Sequence, residues 1–323
     1  MQVINLSAPY DKKQIPAGPV ILALGFFDGV HRGHQEVIHA AKKLAVEKNV
    51  KLAVMTFDRY PKGVYQKLAP EDIRYLTLTK RKLELFSELG ADIAYVLEFN
   101  SNMTKMRPQD FVDNYIVGLN AVGAVAGFDF TYGKPDSANM SVLSDYARGR
   151  FTIHEVPELK ERSQKVGSTQ IKAALDQGKI QHANALLGYP FETSGIVVHG
   201  KARGRTMGFP TINVKVDQQQ KLPTIGVYAV KVQIDEKWFD GMASVSHNET
   251  FGPNRKLTVE INLFDVKQDF YNKDVRVQWF QFLRSSIKFA DVADLIEQMK
   301  QDETNTRKFF NDLNVSGFSV KSL

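Results

Sequence analysis

Two histidines, His31 and His34, stand three residues apart in "LGFFDGVHRGHQEVIHAAKKLA" (24–45), between an apolar run and a helical pattern. Imidazole donors aimed at a phosphorus centre can stabilise charge that develops on phosphate oxygens during group transfer. The surrounding glycines, Gly25, Gly29 and Gly33, are not followed by the GK[ST] of a Walker sequence. A second group lies in "GKARGRTMGFPTINV" (200–214), where Thr211 and Asn213 share one face of an extended strand because the side-chain period is two. Two neutral oxygens on one face can join nucleotide phosphates around Mg²⁺, which prefers oxygen and keeps waters. A third candidate is Glu260 in "KLTVEINLFD" (256–265), where Leu257, Val259, Ile261 and Leu263 take one face and Thr258, Glu260 and Asn262 the other. Taken singly, each has a plainer reading: a capped helix, a glycine-rich hairpin, a solvent-facing strand carboxylate.

The elements that must position these residues change character near residue 190. Before it, apolar runs at 20–24, 51–57, 91–99 and 121–130 alternate with helical patterns at 33–48, 78–89 and 108–119, which predicts a parallel α/β sheet of Rossmann-like type. In the first helix Val37, Ile38, Ala41, Leu44 and Ala45 form the apolar face. "FTIHEVPEL" adds a strand, and two short helices, each stopped by a glycine, close a first domain at residue 188. From 189 to 323 strands dominate and a helical pattern follows at about 289–312, the signature of a small antiparallel β-barrel capped by a helix. A strand, a glycine-bearing turn and a helix mouth is also where a doubly wound sheet binds phosphates.

Composition narrows the classes. With 323 residues, two domains are the default; with no cysteine, disulfides, thiolate nucleophiles and cysteine-based zinc sites are excluded. No apolar stretch reaches the roughly 18 residues of a membrane span, and the N-terminus lacks an export signal, so a cytoplasmic enzyme is expected. The +6 charge comes without a basic stripe interleaved with aromatics, which suits phosphorylated small molecules over nucleic acid. The expected partners are small molecules only, with the chain a monomer or weak homo-oligomer.

"GFFDGVHRGH" resembles the nucleotidyltransferase signature in the form found in bacterial FAD synthetases, and "GFDFTYG" (127–133) and "VGSTQIKAAL" (166–175) fall in order as its second and third motifs. "GKARGRTMGFPTINV" is similar to the flavokinase signature, with its glycines, proline, threonine and asparagine in place. The resemblance runs from about residue 18 to 312 and implies a bifunctional riboflavin kinase and FMN adenylyltransferase, using ATP and Mg²⁺ on riboflavin and FMN to give FAD. It implies that Glu260 accepts the proton of the riboflavin 5′-hydroxyl and that Thr211 and Asn213 bind Mg²⁺. His31 and His34 would stabilise the adenylyl transfer, with ATP and FMN held by Gly25, Phe26, Asp28, Gly29, Gly33, Gly127, Asp129, Ser168, Thr169 and Lys172. Gly200, Gly204, Arg205, Gly208, Pro210, Asn248, Thr250 and Arg284 would line the kinase site.

Three departures from the family pattern, at four residues, stand out. Arg59 and Tyr60 precede Pro61 where Pro-His-Pro is usual, Lys172 replaces an arginine, and Glu249 replaces a proline. Because Arg59 and Tyr60 replace a smaller, stiffer element and would crowd the nucleotide, and because lysine cannot copy the bidentate fork of arginine, the first two departures predict a slow adenylyl step, with FMN accumulating. The alternatives are therefore a riboflavin kinase whose adenylyltransferase half is weak or lost and, further off, a non-catalytic flavin-binding regulator.

Overall fold

The computed structural model describes residues 1–66, 68–69, 72–161, 164–200, 204, 207–247, 257–266 and 268–315. By contact the chain divides into two compact units, Met1–Ser168 and Thr169–Leu323. The sequence pattern puts the division at 188, after two short helices that by contact belong with the second unit.

The first unit is built on six parallel strands: β1 (Gln2–Leu6), β2 (Val20–Leu24), β3 (Lys51–Phe57), β4 (Ile93–Leu97), β5 (Ala121–Gly127) and β6 (Thr152–Val156), in the order β1-β4-β3-β2-β5-β6. The inner strands β2 and β4 are buried at every residue, as continuous apolar runs in a parallel sheet require. Strand β1 is not expected from the sequence, because "QVINL" buries only Ile4 and Leu6 and lies at a sheet edge. The helices are α1 (Arg32–Glu47), α2 (Pro61–Tyr65), α3 (Thr79–Glu88), α4 (Ser101–Thr104), α5 (Pro108–Tyr115) and α6 (Leu143–Ala147). Helix α1 buries Val37, Ile38, Ala41 and Ala45, the stripe its periodicity predicts. Strand β2 has β3 on one side and β5 on the other, so chain order reverses between β2 and β5. In open α/β sheets that reversal leaves a crevice outside the carboxyl ends of the strands.

A two-stranded ribbon, β7 (Lys160–Glu161) with β8 (Gln164–Lys165), precedes α7 (Ser168–Asp176) and α8 (Ile180–Leu187). Both helices are tied to the barrel that follows. Thr224 N donates to Leu175 O at 3.1 Å. Asn184 bonds to Trp279 O at 2.8 Å and to Phe191 N at 2.8 Å.

The barrel comprises β9 (Phe191–Val198), β10 (Thr211–Val216), β11 (Gly226–Ile234), β12 (Lys237–His247), β13 (Leu257–Leu263) and β14 (Asp274–Arg284), closed in the order β10-β13-β12-β11-β14-β9. Closure leaves no unpaired edge. Strand β12 is likewise unexpected, since "KWFDGMASVSH" has little apolar alternation, and its hairpin turns at Asp235 and Glu236 (φ 48° and 66°) without a glycine. Helix α9 (Val292–Val315) packs on the barrel, with Phe310 against Ala229 and Phe280, and Ile296 and Met299 beside Phe209, Met242 and Phe264.

Candidate active sites

The β2–α1 loop carries the first site. Phe27 and Val30 adopt left-handed backbone (φ 57° and 35°), as does Gly29 (φ 85°), and the two non-glycine residues cost of order 1–3 kcal/mol each. Neighbours fix this shape. The buried Asp28 carboxylate accepts from Leu76 N at 2.8 Å and Thr77 N at 3.3 Å, and Gly29 N donates to Thr77 Oγ1 at 2.9 Å. The Phe27 ring folds back so that a Cβ on Gly25 would meet it at 2.8 to 3.0 Å, which is why that position is glycine.

His31 caps α1: its Nδ1 accepts from His34 N at 3.4 Å, so its ring proton resides on Nε2 when neutral. The two imidazoles stack with centroids 3.6 Å apart and planes 19° apart, and Phe27 meets His34 edge-on at 5.2 Å. Burial pushes His31 down to about 4, opposed by Asp129 and aided by Lys165; burial, then His31, Lys82 and Lys165, push His34 well below its ordinary value. Both rings are neutral near pH 7. Buried His34 Nδ1 has no hydrogen-bond partner among the described residues.

The other two motifs converge here. Ser168 Oγ donates to Asp28 O at 2.7 Å, and a Cβ on Gly33 would lie 3.4 Å from the His31 ring and 3.6 Å from Val166 O. Gly127 faces Asp129 Oδ1, and Asp129 pairs with Lys165, whose ammonium lies 4.6 Å from the Phe128 centroid. Thr169 and Lys172 follow on α7, in the second unit. Of the departures, Arg59 is turned onto Asp58 (3.0 and 2.8 Å), and Tyr60 packs on Phe26 with centroids 5.4 Å apart.

Sequence reasoning misses Lys82. On α3 it shares a buried stripe with Leu85 and Phe86, and that placement of a lysine is the signal that could have found it. Its Nζ donates to Phe26 O at 2.9 Å and Thr56 Oγ1 at 3.2 Å and lies 4.0 Å from the Phe26 centroid.

In the barrel, register assembles the second site. Antiparallel β10 and β13 pair Thr211 with Asn262 and Asn213 with Glu260, while β12 and β13 pair Ser244 with Glu260 and Ser246 with Thr258. Directly opposed residues share a face, with Cβ atoms about 4.5–5.5 Å apart. Val259, Ile261 and Leu263 point into the core, so Thr211, Asn213, Glu260, Asn262, Ser244 and Ser246 form a polar stripe across the outer face of three strands. Two described glycines, Gly200 and Gly204, lie against that stripe. A Cβ on Gly200 would fall 2.0 Å from the Asn213 amide, and one on Gly204 2.2 Å from Phe209 O and 3.5 Å from Thr211 Oγ1. Gly208 takes φ 82°, and Pro210 O accepts from Asn262 Nδ2 at 2.8 Å.

Arg284 is brought elsewhere: its guanidinium grips Asp302 of α9 through bonds of 2.7, 2.9 and 3.1 Å. Arg205, Asn248, Glu249 and Thr250 lie outside the described residues. Among the described residues there is no cluster of three or more His, Cys, Asp or Glu able to hold a metal. The two neutral oxygens of Thr211 and Asn213 beside one carboxylate therefore suit a cation whose remaining ligands come from a nucleotide.

A family model for FAD synthetase matches residues 13–170, and one for riboflavin kinase matches residues 187–310. A bifunctional riboflavin kinase/FMN adenylyltransferase of Listeria monocytogenes is 43% identical over 313 residues, covering 97% of this chain and 99% of the relative. Its Bacillus subtilis counterpart is 38% identical, with the same coverage. The chain belongs to the bifunctional riboflavin kinase/FMN adenylyltransferase family. A crystal structure described as a macrolide-efflux protein from Streptococcus pneumoniae has a TM-score of 0.87 at 34% identity, covering 95% of this chain and 99% of that one. Among the described residues of this family member, no helix is long and apolar enough to cross a membrane. The alternative of a lost adenylyltransferase half is not favoured, since the FAD synthetase model spans the first unit and the histidine pair is intact.

Proposed function

We propose that the two sites catalyse consecutive steps: the barrel phosphorylates riboflavin to FMN with ATP, and the first unit adenylylates FMN to FAD with release of pyrophosphate. The observation that carries the reading is the register pairing of Asn213 with Glu260 and Thr211 with Asn262, which sets a carboxylate beside two oxygen donors, with Gly200 against Asn213 and Gly204 near Thr211. An alcohol is a poor nucleophile until a positioned base takes its proton. Glu260 accepts the 5′-hydroxyl proton as that oxygen attacks the γ-phosphorus, and ADP departs. Thr211 and Asn213 would hold Mg²⁺, which supplies charge neutralisation on the phosphates.

In the first unit the nucleophile is the anionic phosphate of FMN, which needs no base. Its oxygen attacks the α-phosphorus of ATP, the bond to the bridging oxygen breaks, and pyrophosphate leaves. His31, donating from Nε2, and His34 stabilise the charge on the phosphate oxygens as neutral donors. Asp28 and Ser168 hold the loop, and Asp129 and Lys165 border it. The +6 charge without a basic stripe supports small phosphorylated substrates over nucleic acid. The efflux role attached to the Streptococcus pneumoniae structure is not carried over, because both sites here are built for phosphorus chemistry. The test is a chromatographic assay with riboflavin, ATP and Mg²⁺ that resolves FMN from FAD. Both products must appear, FMN first; ATP left unconsumed with riboflavin present contradicts the reading.

A further inference from the structure

Lys82 is 2% exposed, and among the described residues it forms no ion pair. A buried ammonium whose neighbouring carboxylates, Asp28 and Asp58, oppose its burial without forming an ion pair with it is expensive, so it is kept only where something further offsets it. Satisfying the Phe26 carbonyl does not explain it, since Thr56 Oγ1 already donates to that oxygen at 2.8 Å. What Lys82 adds is a positive charge under the loop that presents the two histidines, and a second anchor at Phe26, next to the left-handed Phe27.

We propose that Lys82 is a positioning residue of the adenylyl-transfer site, holding the Phe26 end of the β2–α1 loop and supplying the buried positive charge that the phosphates of bound ATP complete. This rests on the first unit being the FMN adenylyltransferase. Binding of the triphosphate and protonation of Lys82 are then linked, each strengthening the other.

The titratable groups facing Lys82 are Asp28 of the loop, Asp58 just after β3 and His34 of α1. Burial, opposed by the two aspartates, lowers Lys82 to about 8. Tyr60 and Tyr75, which pack on Phe26, are pushed upward by burial and titrate above it. His34 is held neutral throughout this range. For stability the sign is opposite to that for function: a lysine lowered on folding penalises the folded state fully below about 8, and the penalty fades as pH rises toward the ordinary lysine value.

The test measures FMN-to-FAD kinetics from pH 6.5 to 9.5 in the full-length protein, with riboflavin phosphorylation by the same sample as the folding control. For the unaltered protein, KM for ATP in adenylylation rises above pH 8 by more than in phosphorylation. Lys82→Met raises that KM roughly 10- to 100-fold at pH 7 and flattens its pH dependence, the scale of a coupling between two sites. Lys82→Arg, whose charge does not titrate, recovers part of the loss with a flat profile. Wild-type KM and pH profile in Lys82→Met overturn the proposal. If that variant does not fold, the unaltered protein decides: a KM for ATP in adenylylation that stays level from pH 7 to 9.5 overturns it. An unaltered protein that forms no FAD from FMN at any pH instead overturns the functional reading itself.

Discussion

The two candidate sites solve related phosphorus chemistry with opposite surroundings. At the helix mouth the chemical groups are buried neutral imidazoles, locked by a cap, a ring stack and a tethered loop. On the barrel face the proposed base is an exposed carboxylate, Glu260, set by strand register. The nucleophiles explain the contrast. A phosphate arrives charged, so its site must hold donors and keep them neutral, whereas a hydroxyl must lose a proton to a positioned base. Burial serves the first task and strand register the second.

The comparison breaks most visibly at the histidines. Replacing both His31 and His34 with Ala should reduce FMN-to-FAD conversion by at least roughly 10³-fold, on the scale of removing preorganised donors, while riboflavin phosphorylation stays near normal. Loss of both activities in a folded double variant would mean the sites are not independent. Next in size is Glu260→Gln, which preserves shape and removes basicity. It should slow FMN formation by about 10² or more and leave FAD formation from added FMN unchanged, as a quenched time course of each step would show.

Gly200→Ala sharpens the second half of the comparison. A Cβ 2.0 Å from the Asn213 amide forces that side chain or the loop to shift, and a misplacement of about 1 Å can cost roughly 10²-fold, so the kinase rate should drop about 10-fold or more. A kinase rate within twofold of normal rules out a role for the Asn213 position. Smallest is the acid behaviour of the first unit. His31 and His34 are lowered on folding, so the neutral rings stabilise the fold fully above about 6.5, and that contribution is lost as pH falls toward 4. Chemical denaturation of the unaltered protein should show this slope, and the double alanine variant should lack most of it.

Much of this is legible in the sequence, for identifiable reasons. The period of two places Thr211, Asn213 and Glu260 on outward faces, and the 3.6 period gives α1 its buried stripe. What stays hidden depends on contacts between distant residues. The cross-strand partnership of Asn213 and Glu260 is a register, and no single strand contains its own register. Lys82 reads as a surface lysine until Phe26 and Thr56 are folded against it. Arg284, the last residue of β14, reads as a kinase-site cation, yet its Nε and Nη2 are bound to Asp302 of α9. The partners of Arg59 and Tyr60, Asp58 and Phe26, are likewise contacts that the sequence does not display. Strands β1 and β12 escape notice because one is a half-exposed edge and the other lacks alternation.

The central claim is that one chain holds two independent sites joined only by the FMN that passes from one to the other. Mixing the His31→Ala, His34→Ala double variant with Glu260→Gln in riboflavin, ATP and Mg²⁺ tests it directly. Alone, the first should stop at FMN and the second should make little of either product; together they should form FAD at a rate approaching the slower surviving step. A mixture that forms no FAD, although each variant keeps its own remaining activity, would contradict the account.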